Sequence, residues 1–200
     1  MRHLLLLLIC AAIFQWTFPA DAAGRTLVVL VPGGKGAPHP SGFLMRNKKR
    51  FDRAGFQTQI SSSGKQAMRA VRAARKRGQK VFIVGMSIGV IKSAAALGKG
   101  APADGAVFFS GNYRVARARL GSPGNLPPTL VVHHRRDRCP GTTPTNVESF
   151  KRWSGGKVKK IGWVNSTGKR AKPCGPVGAH GFFKKDQQPI SAAIAFIRSH

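Results

Sequence analysis

Ser87 stands in the pentapeptide Gly85-Met86-Ser87-Ile88-Gly89, directly after the apolar run Val81-Phe82-Ile83-Val84 and just before the helix-forming stretch Ile91–Leu97. A buried strand that turns within a few residues into a helix lifts a serine into a strained bend. There its hydroxyl is exposed and sits at a helix N-terminus, where negative charge is stabilised. Side chains at Gly85 and Gly89 would collide with the neighbouring strand and helix. The pattern makes Ser87 a candidate nucleophile.

A serine hydroxyl is a poor nucleophile near neutral pH, so it needs a base, and the base needs an orienting acid. Beyond residue 22 the chain has five carboxylates: Asp52, Asp104, Asp137, Glu148 and Asp186. Asp52 and Glu148 fall within expected helices, Asp104 precedes a strand and Asp186 begins the last helix. Asp137 alone follows directly on an expected strand, Thr129–His133, and catalytic groups in open parallel sheets gather at carboxyl ends of strands. Its competing role is a loop ion pair with Arg135, Arg136 or Arg138. Among the histidines, His39 lies in a loop, His133 and His134 end a strand, and His200 is the last residue. His180, in Gly178-Ala179-His180-Gly181, is flanked by glycines that let the backbone bring an imidazole close. It is the candidate base, with a loop histidine of no function as the alternative; His133 and His134 read as structural or supporting residues.

The elements that must position these groups alternate between strand-like and helix-like, which predicts an α/β domain with a mostly parallel sheet of about six strands. Strands are expected at Thr26–Val31, Phe56–Ile60, Lys80–Val84, Ala106–Ser110, Thr129–His133 and Val158–Trp163. Several are nearly unbroken apolar runs, as strands covered on both faces are. Amphipathic stretches at Gln66–Arg77, from Thr143-Pro144 to Trp153, and at Pro189–Arg198 supply helices. Pro32–Ser41, Gly111–Pro128 and Asn165–Gly181 read as long loops.

Residues 1–22 read as a signal peptide: a basic start, an apolar core from Leu4 to Phe14, and a small-x-small site at Ala20-Asp21-Ala22. Export to a periplasm or the medium follows, and residues 23–200 form one domain with no membrane span. Cys139 and Cys174 are then the remaining cysteines, most simply one disulfide in an oxidising compartment, with two buried thiols as the alternative. No ligand spacing suggests a metal, and no cofactor is expected. The net charge is +28. Such a charge favours anionic surfaces, but the cations are dispersed along helix faces without interleaved aromatics, so no specific nucleic-acid partner is expected.

The order Ser87, Asp137, His180, with a G-x-S-x-G elbow, resembles the α/β-hydrolases, most closely small exported bacterial serine hydrolases. Pro32-Gly33-Gly34 after the first strand, His133 to Pro140, and His180-Gly181-Phe182 carry the rest of the likeness. The resemblance implies that Ser87 attacks an acyl carbonyl, His180 takes and returns the proton, and Asp137 holds the tautomer. It implies an oxyanion hole from the backbone N–H groups of Ile88 and Gly34. A Cys139–Cys174 bridge would brace the acid loop against the base loop. Neither the antiparallel edge strands of larger members nor a cap domain is expected. An open site for a small or polymeric acyl ester, in a monomer, fits that build.

Two functions compete. One is an esterase-like serine hydrolase acting on esters or thioesters through an acyl-enzyme. The other is a non-catalytic basic protein of the same fold, binding anionic lipid, polysaccharide or nucleic acid through its charge.

Overall fold

The computed structural model describes residues 25–34, 37–165 and 172–200, and the expected signal peptide lies outside them. Along the chain run β1 (Leu27–Val31), α1 (Phe43–Arg53), β2 (Gln57–Ile60), α2 (Gly64–Lys76), β3 (Val81–Met86) and α3 (Ile88–Gly98). They are followed by β4 (Gly105–Phe109), α4 (Tyr113–Leu120), β5 (Thr129–His134), α5 (Thr145–Trp153), β6 (Val158–Val164) and α6 (Gln187–Ser199).

The six strands form one sheet in the order β2-β1-β3-β4-β5-β6, with every neighbouring pair parallel. β1, β3, β4 and β5 are buried along their whole length; β1, β3 and β4 are accordingly apolar runs, whereas β5 buries the polar Thr129, His133 and His134 at its ends. Edge strand β2 alternates exposed and half-buried residues, as one partly solvated face requires. Strand side chains alternate between two cores. Leu27, Val29 and Val31 pack with α2, α3, α4 and α5, while Val28 and Leu30 pack with α1 and α6. Among the described residues no cap domain covers the sheet.

Chain direction across the sheet reverses between β1 and β3: β2 lies on one side of β1, and β3 to β6 extend on the other. The loops leaving the carboxyl ends of β1 and β3 therefore diverge and open a crevice, the place where open parallel sheets bind ligands.

One expectation needs correction. The segment 111–128 is not a long loop, because it contains α4 and a short 3-10 turn at Pro123–Asn125. Asn112 caps α4, its side chain accepting from the Val115 N–H at 3.1 Å. Tyr113, Ala116 and Leu120 are buried on one face, and Gly121 ends the helix at φ 74°. The helix is two turns long, arginine-rich and bounded by glycine and proline, so its periodicity is too short to stand out in the sequence. Among the described residues no helix is long and apolar enough to cross a membrane.

Candidate active site

The turn after β3 is governed by close approach. Ser87 has φ 55° and ψ −120°, a conformation that side chains rarely adopt. Its N–H donates to the Phe109 carbonyl at 2.9 Å, pinning the bend to the end of β4, and its own carbonyl accepts from Val90 N–H at 3.0 Å. A Cβ on Gly89 would run into the Val31 carbonyl, and one on Gly85 would lie 2.8 Å from Ser93 Oγ. The two glycines of the pentapeptide thus let α3 descend against β1 and β3. The loop after β1 meets the same turn: a Cβ on Gly33 would sit 3.0 Å from Ser87 Cβ. Next along that loop, Gly34 has φ 90°, open to glycine. Its carbonyl accepts from Lys92 Nζ at 3.3 Å, tying the loop to α3.

Asp137 is buried in the turn that follows β5. Its Oδ1 accepts from the Cys139 N–H at 2.9 Å. Its Oδ2 lies 2.9 Å from His180 Nδ1, 3.1 Å from Thr142 Oγ1 and 3.3 Å from His133 Nε2. Burial works to raise the carboxyl's pKa, but the hydrogen bonds from His133 and His180, the charge interaction with His180 and the Cys139 N–H outweigh it, holding the group at about 2. The neighbouring His134 ring, whose Nδ1 accepts from the Arg136 N–H at 3.0 Å, is pushed below the ordinary histidine value, chiefly by burial.

His180 projects from the loop that precedes α6. A Cβ on Gly181 would overlap the Pro176 carbonyl, so only glycine lets the loop fold back on itself there. Phe182, at φ 55°, is driven into the core between Phe43 and Phe109, with ring centroids 4.9 and 6.0 Å away. Arg46 of α1 clamps the outside of this loop. It donates to the carbonyls of Ser41, Pro176 and Gly181 at 2.8, 3.1 and 2.5 Å, and pairs with Asp186 at 2.7 Å. Asn47 adds a bond to Asp186 at 2.9 Å. A disulfide joins Cys139 to Cys174, with Cα atoms 4.6 Å apart, so the loop bearing Asp137 is crosslinked to the one bearing His180.

Ser87 and His180 line one cavity of about 350 Å³, together with Gly33 and Gly34. Its wall is mostly apolar, from Pro32, Ala37, Phe43, Leu44, Met86 and Pro176. His39 is the other histidine on this wall; its Nδ1 accepts from the Ser41 N–H at 3.2 Å. With Nδ1 of His180 turned to Asp137, Nε2 is at the opposite end of the ring. The arrangement can take a proton from a group in the cavity and stabilise the resulting imidazolium. Three other carboxylates are engaged elsewhere: Asp52 with Lys48, Asp104 with Arg75, and Asp186 with Arg46. Glu148 lies in the first turn of α5. Among the described residues no cluster of His, Cys, Asp or Glu is arranged to hold a metal ion.

Sequence reasoning singles out neither Thr142 nor Arg46. Thr142 follows Asp137 by five residues, close enough to suggest a local hydroxyl donor. For Arg46 there was no signal, because it belongs to a run of surface cations and its partners lie about 130 to 140 residues away.

No protein-family model matches the chain, and no curated protein resembles it in sequence. Solved structures do resemble it in fold. Esterase 2 of Thermogutta terrifontis, phosphoramylated by tabun, superposes with a TM-score of 0.61 at 18% identity, over 90% of this chain and 86% of that one. The same esterase with butyrate bound gives 0.60 at 18% identity, over 90% and 86%. A structure from a study of two metagenome-derived lipolytic enzymes gives 0.64 at 15% identity, over 88% and 95%. At such identities the likeness is one of fold: this chain has the α/β-hydrolase fold of esterases and lipolytic enzymes.

Proposed function

We propose that this α/β-hydrolase-fold chain is an exported serine hydrolase that cleaves carboxylic esters, or thioesters, through an acyl-enzyme. Ser87 is the nucleophile, His180 the general base and acid, and Asp137 the residue that orients the imidazole. The observation that carries this reading is the 2.9 Å contact between His180 Nδ1 and Asp137 Oδ2, with His180 and Ser87 on the wall of one cavity. Export is supported by the Cys139–Cys174 disulfide, which persists in oxidising compartments.

In this reading Ser87 Oγ attacks the acyl carbonyl while His180 Nε2 accepts its proton. The carboxylate of Asp137 stabilises the imidazolium, and the oxyanion is met by the N–H groups of Ile88 and Gly34. Each such donor supplies about 3 kcal/mol of transition-state stabilisation. Collapse of the tetrahedral intermediate expels the alcohol, or thiol, which takes the proton from His180. Water then repeats the sequence on the acyl-enzyme and releases the acid. The strained turn at Ser87 and the glycines at 33 and 34 both serve close approach of the substrate to backbone.

A cavity of about 350 Å³ with a mostly apolar wall suits a compact acyl group of short to medium length. That a neighbour in fold was solved with butyrate bound supports starting with butyrate esters.

The test is labelling of the mature protein with a fluorophosphonate probe, with Ser87→Ala and heat-denatured protein as controls. Labelling that disappears in both controls, followed by hydrolysis of butyrate esters, is the expected result. A folded, disulfide-intact protein that takes no label and hydrolyses no ester sinks the proposal and directs attention to polyanion binding through the +28 charge.

A further inference from the structure

We infer that His133 is a positioning residue of the proposed triad, holding the acid turn against β5 and sharing Asp137 Oδ2 with His180. This rests on the reading of Asp137 and His180 given above. His133 is the penultimate residue of β5, and its side chain is fully buried. Its Nε2 lies 2.7 Å from the Thr142 carbonyl and 3.3 Å from Asp137 Oδ2. A carbonyl oxygen only accepts, so Nε2 carries a proton, and that proton is available to both oxygens. The imidazole therefore joins the two ends of the turn 137–142.

The carboxylate is loaded unevenly. Oδ1 accepts the Cys139 N–H, whereas His180, Thr142 and His133 all converge on Oδ2. Thr142 has one hydroxyl proton for two acceptors, Asp137 Oδ2 and the Cys139 carbonyl, both at 3.1 Å. The His133 N–H is divided in the same way, between the Thr142 carbonyl and Oδ2, so the two shared donors together supplement His180 on that oxygen. An oxygen that already accepts from His133 binds the imidazolium of His180 less tightly. His133 thereby tunes how readily His180 releases a proton, besides fixing where Asp137 points.

The surroundings leave His133 with this task. Tyr113 of α4 places its hydroxyl 3.5 Å from Nδ1, and burial raises that phenol's pKa, so it remains an O–H group. Trp163 of β6 meets the ring edge-on at 6.2 Å, with the Arg135 guanidinium over Trp163 at 4.8 Å. His134 adjoins it along β5, Arg136 and Arg138 flank Asp137 in the turn, and His180 lies across the shared carboxylate. Among the described residues Asp137 is the carboxylate that meets His133.

The experiment is the pH dependence of kcat/KM for p-nitrophenyl butyrate with wild type, His133→Leu and His133→Gln, whose amide reaches the position of Nε2. With Leu, the acid limb moves up by about half a pH unit, the effect of losing one modest hydrogen bond to the carboxylate. With Gln it returns toward wild type. A folded His133→Leu enzyme whose plateau falls while its acid limb stays put overturns the inference, since a purely structural role does just that. If the Leu variant does not fold, ¹⁵N-histidine NMR of wild type decides. His133 as the Nε2–H tautomer supports the inference, and the Nδ1–H tautomer overturns it. Wild type that neither hydrolyses the ester nor takes the fluorophosphonate label fails on the triad itself, an outcome separate from either of these.

Discussion

Between β3 and α3 a single pentapeptide sets Ser87, whereas Asp137 and His180 meet across 43 residues of chain. The serine turn is held by what is missing: no side chain at 85 or 89 blocks the descent of α3 onto β1 and β3. Backbone bonds at its two ends do the rest, and no long-range side-chain contact is required. The acid and base loops are held by what is added: the Cys139–Cys174 crosslink, the Arg46 clamp on Gly181, Pro176 and Asp186, and the donors gathered on Asp137. A nucleophile can be positioned by local chain geometry because strand and helix are continuous through it. A base on an irregular loop has no such frame, so long-range bonds must replace it.

The contrast can be broken most sharply at Ser87 itself. Ser87→Ala is expected to lower ester hydrolysis about 10⁴- to 10⁶-fold, as loss of a serine nucleophile does elsewhere, with the melting temperature scarcely changed. Replacing both Cys139 and Cys174 with serine is expected to cost about 2–4 kcal/mol of stability, read from urea unfolding. Labelling of Ser87 should slow as the loops loosen, while hydrogen exchange of the α3 amides stays as in wild type. Faster exchange in α3 would mean that the two regions are not independent.

Arg46→Met removes a charge-assisted pair and three carbonyl contacts at once, an expected loss of about 2 kcal/mol. Its kcat should fall and its KM rise together, because Arg46 holds the His180 loop and, through Pro176 and Gly181, part of the cavity wall. A smaller effect of opposite sign is expected for Ser87→Gly. Glycine relieves the φ 55° strain, so this inactive variant should be about 1 kcal/mol more stable than Ser87→Ala. Equal stability would show that the turn carries no strain.

The mildest probe is acid. With its carboxyl held at about 2 instead of the ordinary 3.8, Asp137 contributes stability that is complete above 3.8 and is lost as pH falls through about 2. Asp137→Asn lacks that dependence. The stability gap between wild type and this variant should therefore narrow between pH 5 and pH 2 in denaturant titrations. A gap that stays constant would mean that the His133, His180 and Cys139 donors do not favour the ionised form.

The strand positions follow from physics that leaves a mark in sequence. Buried parallel strands favour apolar runs, and those at 27–31, 81–86, 105–109 and 130–132 are visible without a structure. The pentapeptide around Ser87 is legible because its two glycines stand beside the serine in the chain, although the group that Gly89 clears is the Val31 carbonyl of β1. Asp137 and His180 are legible as candidates because the chain has so few carboxylates and because His180 stands between glycines. Helix α4 is not legible, since two turns of an arginine-rich segment carry too little periodicity.

What tertiary structure alone decides is which groups share a neighbourhood. Arg46 looks like any cation of a basic helix until α1 packs beside the base loop and its guanidinium finds Gly181 and Asp186. His133 reads as a strand-end histidine until the turn 137–142 closes over it and places Thr142 and Asp137 against Nε2. The sequence by itself marks the strands and the serine turn, because the residues that form each are adjacent in the chain, even though the Val31 and Phe109 carbonyls that the turn meets come from other strands. The partners of Asp137 and His180 depend on contacts between distant segments, and these come into being only when the sheet and its helices have packed.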